Sequence, residues 1–135
     1  PYSFSGRVVH GDALGRKIGF PTANLDPALA EDDAYAGMKL IPADGIYAVT
    51  AEIQGKEHRG MLYIGTRPTV GGKKQSIELH VFEFNRDIYG QTVTVHVHDR
   101  TRGDVHFAGL EELTNQLKED QIATQACLNR LQIPV

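Results

Sequence analysis

The sequence predicts a mostly β fold: a small closed antiparallel barrel of the Greek-key type, with a C-terminal α-helix packed on it. Short segments of alternating apolar and polar residues follow one another at hairpin spacing, and a terminal segment repeats its leucines at helical period. Strands do not alternate with helices, which argues against a doubly wound α/β fold. The 135 residues are enough for one domain with a buried core, predicted to span residues 1–135.

The strand pattern is clearest between residues 45 and 65. Apolar side chains occupy alternate positions over 47–53, a turn is expected at 54–55, and an apolar run returns at 61–64. Such alternation is typical of a half-buried strand, so these residues are predicted to form a hairpin. Further strands are expected at 3–11, up to about Leu25, at 76–84 and at 92–98.

Three stretches are expected to lie outside the sheet because they contain proline, glycine or many charges. Residues 66–69 are expected to leave the sheet, residues 71–74 to form a flexible basic loop, and residues 100–108 to form a further loop.

The last part of the chain is predicted to be helical. Glutamates in its first turn suit the helix dipole. The polar residues Asp120, Gln121 and Thr124 interrupt its apolar stripe. Either the helix breaks there, or that face meets solvent or a polar site. The stripe itself consists of Leu110, Leu113, Leu117, Leu128 and Leu131.

Composition narrows the class of partner. The net charge of −3 and the absence of tryptophan argue against a nucleic-acid partner. No apolar run is long enough to span a membrane and no signal peptide is apparent, so we expect no membrane partner and a cytoplasmic location. A single cysteine, Cys127, fits a reducing compartment. Because the chain starts at Pro1, it is expected to be excised from a longer protein with an N-terminal partner domain.

A segment rich in glycine and cations precedes the second predicted strand. Arg16 and Lys17 lie between two glycines four residues apart, and Pro21 follows. Thr22 and Asn24 are alternate residues, so in a strand their oxygens share a face and suit magnesium. The segment is not a Walker A loop, because no Lys-Ser/Thr pair follows its second glycine. The alternative is a surface turn followed by an ordinary strand.

Glu78 is the second candidate for chemistry. It shares its strand parity with His80, Phe82 and Phe84, which is unusual company for a carboxylate. Its side chain either faces solvent or belongs to a site, and parity alone does not say which face lines the barrel. His96 and His98 also share a strand face, but no third residue has the spacing of a zinc ligand.

Together these segments resemble the riboflavin kinase family, including the kinase module of bacterial bifunctional FAD synthetases. Tyr63 stands where that family usually has asparagine, and Asp104 where it prefers glutamate. The matching segments run in family order along nearly the whole chain: GRKIGFPTANL at 15–25, YIGTRPT at 63–69, IELH at 77–80, DIYGQ at 87–91 and RGDVHF at 102–107.

The resemblance implies ATP-dependent phosphorylation of riboflavin at the ribityl 5′-hydroxyl, giving FMN and ADP. It makes Glu78 the catalytic base, Thr22 and Asn24 the residues that hold Mg²⁺ with ATP, and His80 a structural neighbour. It also implies an N-terminal FMN adenylyltransferase domain in the full-length chain. Flavin contacts are expected from Arg102, Asp104 and Phe107, and phosphate contacts from Gly11, Gly15, Arg16, Lys17, Gly19, Pro21 and Thr22.

Two alternatives remain open. One is a non-catalytic flavin-binding barrel, against which Glu78 and the intact Thr22/Asn24 pair argue. The other is an oligonucleotide-binding barrel, which needs a basic groove with interleaved aromatic residues.

Overall fold

A computed structural model describes residues 2–9, 22–26, 42–84, 86–103 and 109–134. Within these ranges it contains six strands and one helix. They are β1 (Tyr2–Val9), β2 (Ala23–Asp26), β3 (Gly45–Ile53), β4 (Lys56–Thr69), β5 (Gly72–Val81), β6 (Thr92–Arg102) and α1 (Leu110–Arg130).

The six strands form a closed antiparallel barrel in the order β1-β2-β5-β4-β3-β6, with β6 pairing back onto β1. Hairpins connect β3, β4 and β5 in succession, and β6 returns to lie beside β3. That arrangement of four strands is a Greek key. The predicted class, a closed antiparallel barrel with a C-terminal helix, is therefore confirmed.

The interior of the barrel is filled by apolar side chains, most of them from alternate positions of the strands. Closing a sheet of this size leaves room only for side chains. In β5 the inward parity belongs to Ile77, Leu79 and Val81, so Glu78 and His80 point outward. The buried cluster consists of Phe4, Val8, Leu25, Tyr47, Val49, Ala51, Ile53, Leu62, Ile64, Ile77, Leu79, Val81, Ile88, Val93, Val95 and Val97.

A second apolar cluster lies outside the barrel, beneath α1. Outward-facing residues of β3 and β4 meet the C-terminal half of the helix there, and Tyr63, Leu117 and Ile133 pack at its border. The helix is thereby docked on the barrel wall, which an isolated amphipathic helix needs for stability. The cluster comprises Ile46, Ala48, Met61, Phe82, Cys127 and Leu128.

The helix α1 does not break at its polar middle. Asp120 and Thr124 are buried there, and Asp120 forms an ion pair with Arg102 at the end of β6. The face therefore meets a polar site, which was one of the two alternatives from the sequence. Leu131 departs from the expected stripe, because the helix ends at Arg130 and Leu131 is 43% exposed. In the described part of the chain, no helix is long and apolar enough to cross a bilayer.

The end of α1 is closed by a Schellman motif. The N–H of Gln132 donates to the carbonyl of Asn129, and the N–H of Ile133 donates to that of Leu128. Gln132 takes the left-handed conformation, with φ of 59°, that glycine usually supplies. Arg59 of β4 then binds this tail, donating to the Asn129 side chain at 2.8 Å and to the carbonyls of Ile133 and Pro134.

Two predicted loops are wrong. Residues 66–69 and 72–74 belong to β4 and β5, which pair up to Thr69 and Gly72 across a two-residue turn. Pro68 is tolerated because β3 begins opposite Ile64, so this part of β4 has only β5 as its described neighbour. Likewise β6 continues to Arg102 instead of ending at His98.

Candidate functional site

Glu78 lies on the outer surface of the barrel, where β2 and β5 pair. β2 is short, and its Asn24 stands directly opposite Glu78 in the register of the two strands. Thr22 immediately precedes β2 and shares the outward parity of Asn24. The closure of the barrel thus brings together three of the predicted site residues, Thr22, Asn24 and Glu78.

Both carboxylate oxygens of Glu78 accept hydrogen bonds from hydroxyl groups. Thr22 Oγ1 donates to Oε1 at 3.0 Å, and Ser76 Oγ donates to Oε2 at 3.4 Å. All three side chains are half-buried. The carboxylate is therefore held in one orientation while it stays accessible, as a general base must be.

The oxygen atoms beside Glu78 fit a hard divalent cation. Thr22 contributes a neutral hydroxyl and Asn24 a neutral carboxamide, and hydroxyl and amide oxygens are ligands that magnesium accepts. Because the Thr22 proton is directed at Glu78, lone pairs of its oxygen stay available. Among the described residues, no group of three or more His, Cys, Asp or Glu side chains can hold a metal. Of the described residues around these oxygens, Glu78 carries the negative charge.

The β4 flank of Glu78 is formed by Tyr63. The two residues stand directly opposite each other in the β4–β5 register. The tyrosine ring extends over the α-carbon of Gly65, where a Cβ would lie 2.7 Å from Cζ and 2.8 Å from Cε2. The sequence marked Tyr63 only as a departure from the family pattern, and its position beside Glu78 follows from the strand register.

Arg102 lies at the end of β6, and two strands, β3 and β4, separate β6 from β5 in the barrel. Its Nε and Nη2 both donate to the Asp120 carboxylate at 2.7 Å, and its Nη1 donates to the Gly103 carbonyl at 2.8 Å. Gln116 completes the cluster by donating to Asp120 at 2.9 Å. The structure therefore places Arg102 apart from the Glu78 group, in contact with α1.

Most other predicted site residues lie outside the described residues. These are Gly11, Gly15, Arg16, Lys17, Gly19, Pro21, Asp104 and Phe107. Ser76 was not among the site residues predicted from the sequence, although it lies two residues before Glu78 and therefore on the same face of the strand.

The outer surface across the barrel from Glu78 carries the two histidines of β6. His96 Nδ1 lies 2.6 Å from Ser3 Oγ, and its Nε2 lies 3.4 Å from the Glu52 carboxylate. His98 Nε2 lies 3.0 Å from Thr50 Oγ1. Burial and then the neighbouring His96 lower the pKa of His98, which favours the neutral imidazole. These histidines are hydrogen-bonded parts of the barrel surface.

Comparison with solved structures supports the same architecture. A Trypanosoma brucei riboflavin kinase superposes with a TM-score of 0.61 at 25% identity, over 97% of this chain and 82% of that one. A Streptococcus pneumoniae protein named as a macrolide-efflux protein superposes with a TM-score of 0.80 at 41% identity, over 93% of this chain and 38% of that one.

The relatives found by sequence are also named as riboflavin kinases. The bifunctional riboflavin kinase/FMN adenylyltransferase of Bacillus subtilis is 39% identical over 124 residues, 90% of this chain and 37% of the relative. The RNA-binding riboflavin kinase RibR of the same organism is 38% identical over 117 residues, 86% of this chain and 46% of the relative. The chain thus spans less than half the length of these curated relatives. Because one of these relatives is named as RNA-binding, the expectation that this chain has no nucleic-acid partner is not confirmed.

The family model named Flavokinase, described as riboflavin kinase, matches residues 1–128 of this chain. That match covers every described strand and nearly all of α1. Together with the closed barrel and the Thr22–Glu78–Ser76 group, it leads to one conclusion: the chain belongs to the riboflavin kinase family.

Proposed function

We propose that this domain transfers the γ-phosphoryl group of ATP to the terminal ribityl hydroxyl of riboflavin, giving FMN and ADP. The observation that carries the proposal is the carboxylate of Glu78, held between two hydroxyl donors and opposite Asn24 in a chain of the riboflavin kinase family. Phosphoryl transfer of this kind needs little covalent help from a protein. It needs a positioned hydroxyl, an in-line phosphate and compensated charge.

In the proposed reaction, the 5′-oxygen of riboflavin forms a bond to the γ-phosphorus, and the bond from that phosphorus to the bridging oxygen of ADP breaks. Glu78 accepts the hydroxyl proton. Thr22 and Ser76 fix both carboxylate oxygens, so the orientation of Glu78 is set before the substrate arrives. Such preorganisation lowers the barrier because little reorganisation is left for the reaction step.

Riboflavin kinases use ATP with a divalent metal, and we propose that the metal here is Mg²⁺. Thr22 and Asn24 supply the protein oxygens for it. When bound, the ion neutralises phosphate charge. Residues proposed to hold the phosphates are Gly11, Gly15, Arg16, Lys17, Gly19, Pro21 and Thr22.

Arg102, Asp104 and Phe107 are proposed to frame the flavin. The contact between Arg102 and Asp120 restricts this role, because three of the five guanidinium N–H groups are directed at Asp120 and Gly103. Arg102 therefore acts from a fixed position at the end of β6. We also propose that the full-length protein carries an FMN adenylyltransferase domain, as the B. subtilis relative does by name, and that it is cytoplasmic.

The first prediction concerns Glu78. Replacing it by glutamine keeps the side-chain shape but removes the base, so kcat is expected to fall about a hundredfold or more. ATP consumption is measured with and without riboflavin, which also tests the alternative of a flavin-binding barrel without turnover. Glu119→Gln, an exposed change on α1, is the matched control. Turnover by Glu78→Gln near the wild-type rate would refute the assignment.

The second prediction concerns the metal. Because Thr22 and Asn24 are neutral, Mg²⁺ is expected to bind only when ADP or ATP supplies negative charge. Calorimetric titration of Mg²⁺ is expected to show no site in the protein alone, a site with ADP, and weaker binding in Asn24→Ala. Asn115→Ala, on the exposed side of α1, serves as control. Tight Mg²⁺ binding without nucleotide contradicts this account.

A further inference from the structure

Tyr63 and Glu78 lie side by side on the outer surface of the barrel. They stand opposite each other on β4 and β5, where side chains on one face approach within about 5 Å at Cβ. The tyrosine ring extends towards Gly65, and the Glu78 carboxylate extends towards Ser76. Gly65 and Ser76 are themselves opposite in register. Ring and carboxylate therefore run in the same direction, next to each other.

The Tyr63 ring is held in this place from two directions. On its β3 side it packs against the apolar cluster beneath α1, to which the opposite residue Ile46 belongs. Along β4 it covers Gly65, whose missing Cβ leaves the space that the ring occupies. The ring is only partly buried, so part of it stays accessible to a ligand.

The two flanks of Glu78 differ in chemistry. On the β2 side lie Thr22 and Asn24, the oxygen donors proposed for the metal and the phosphates. On the β4 side lies the aromatic ring of Tyr63. In-line transfer puts the attacking and leaving oxygens on opposite sides of the phosphorus. If the phosphates occupy the β2 flank, the β4 flank is the side of Glu78 that is left for the acceptor alcohol.

We propose that Tyr63 is a substrate-positioning residue whose ring forms the wall against which the ribityl chain of riboflavin packs. This inference rests on the proposed function. The carbon-bound hydrogens of the chain contact the ring, and the terminal hydroxyl is thereby placed at the Glu78 carboxylate. A rigid ring suits this task because it offers a large contact surface and loses little conformational entropy. The rate of phosphoryl transfer depends strongly on the placement of this hydroxyl, because a small displacement of a reacting atom lowers the rate considerably.

Three variants test the wall. Tyr63→Ala removes it, Tyr63→Phe keeps the ring without the hydroxyl, and Gly65→Ala adds a methyl group that pushes the ring away. Tyr63→Ala is expected to lower kcat/KM for riboflavin by about tenfold or more, with the KM for ATP unchanged within about twofold. Tyr63→Phe should stay within about threefold of wild type. Tyr89→Ala, at a turn where the side chain is 53% exposed, is the matched control.

The double variant Tyr63→Ala/Gly65→Ala separates an effect on substrate positioning from a loss of protein stability. If Gly65→Ala acts by displacing the ring, its effect on kcat/KM vanishes in the Tyr63→Ala background, whereas a general loss of stability persists there. Urea unfolding of each variant measures stability separately. Equal losses in Tyr63→Phe and Tyr63→Ala, a change mainly in ATP KM, or an undiminished Gly65→Ala effect in the double variant each overturn the inference.

Flavin fluorescence titrations without ATP supply a readout independent of turnover. Wild type is expected to bind riboflavin more tightly than Tyr63→Ala. If wild type turns riboflavin over while Tyr63→Ala matches it in both binding and kinetics, only the role of Tyr63 is wrong. If wild type neither binds nor phosphorylates riboflavin, the proposed function and the role of Tyr63 are both wrong.

Discussion

The interior of the barrel and its outer surface are built from the same strands, yet they use different interactions. Inside, the buried cluster from Phe4 to Val97 is apolar and depends on volume and close packing. Outside, apart from the apolar cluster beneath α1, the described surface depends on particular polar pairs: Arg102 with Asp120, Thr22 with Glu78, and His98 with Thr50.

This difference shows how one strand can serve stability and chemistry together. In β5, Ile77 and Leu79 fill the interior while Glu78 between them faces the site. A conservative change inside is tolerated if volume is kept, because apolar packing is not tied to one partner. A change outside removes a specific partner, so its cost depends on what is left unpaired.

The largest effect on the free energy of unfolding is expected from Asp120→Ala. Its partner Arg102 is only 18% exposed at the side chain, so losing the carboxylate leaves a largely buried guanidinium without its counter-charge. Breaking such a pair costs about 3–5 kcal/mol. Urea unfolding measures the loss. The double variant Arg102→Met/Asp120→Leu should recover much of it, because no charge is then left unpaired. A loss below about 1 kcal/mol in Asp120→Ala would show that the pair is solvated.

The interior was largely predictable from sequence, because alternation over 47–53 and 92–98 directly reports which side chains are buried together. Alternation did not show which parity of β5 faces inward, since both parities contain apolar residues. Closure of the barrel decides that question. The β4–β5 hairpin was missed because Pro68 and two glycines usually indicate a loop, and their tolerance depends on which strands are neighbours.

The pairs on the outer surface were less predictable, because they join residues far apart in the chain. Thr22 and Glu78 are 56 positions apart, and Arg102 and Asp120 lie 18 apart on different elements. Sequence pattern marked Glu78 and Asp120 as polar residues in unusual company. It did not identify their partners, since these follow from strand register and helix docking.

A smaller effect, of opposite sign, is expected at the end of α1. Gln132 adopts a left-handed φ of 59°. This conformation is unfavourable for a residue that has a Cβ atom, but not for glycine. Gln132→Gly should therefore stabilise the protein by about 0.5–1 kcal/mol in urea unfolding. Ala123→Gly, at an exposed position inside α1, is the control and should destabilise by about 1 kcal/mol. Destabilisation by Gln132→Gly would mean that the Gln132 side chain contributes contacts that outweigh the backbone cost.

The smallest expected effect is the contribution of His98 to the pH dependence of protein stability. Burial and His96 lower its pKa from 6.5, while Glu57 acts in the opposite direction. Below pH 6.5 the unfolded chain therefore binds a proton that the folded protein binds less readily, and stability falls as the pH falls. Stability is compared between pH 7.5 and pH 5.5 in wild type and His98→Asn. The variant should lose less stability than wild type over this range. Equal losses would show that other groups carry the dependence.

The position of β6 in the barrel also has a consequence for folding. It is the last of the six strands in the chain, yet it pairs with β1 and β3, and Tyr2 lies opposite Val97. Until β6 is in place, β1 and β3 each expose an unpaired edge, and such edges favour association between chains. Pairs so distant in sequence also form slowly, because the chain must first close a long loop. During synthesis, the barrel cannot close before residue 102 has left the ribosome. We therefore expect the pairing of β6 with β3, whose alternating Tyr, Val, Ala and Ile residues face the interior, to protect the newly made domain from aggregation.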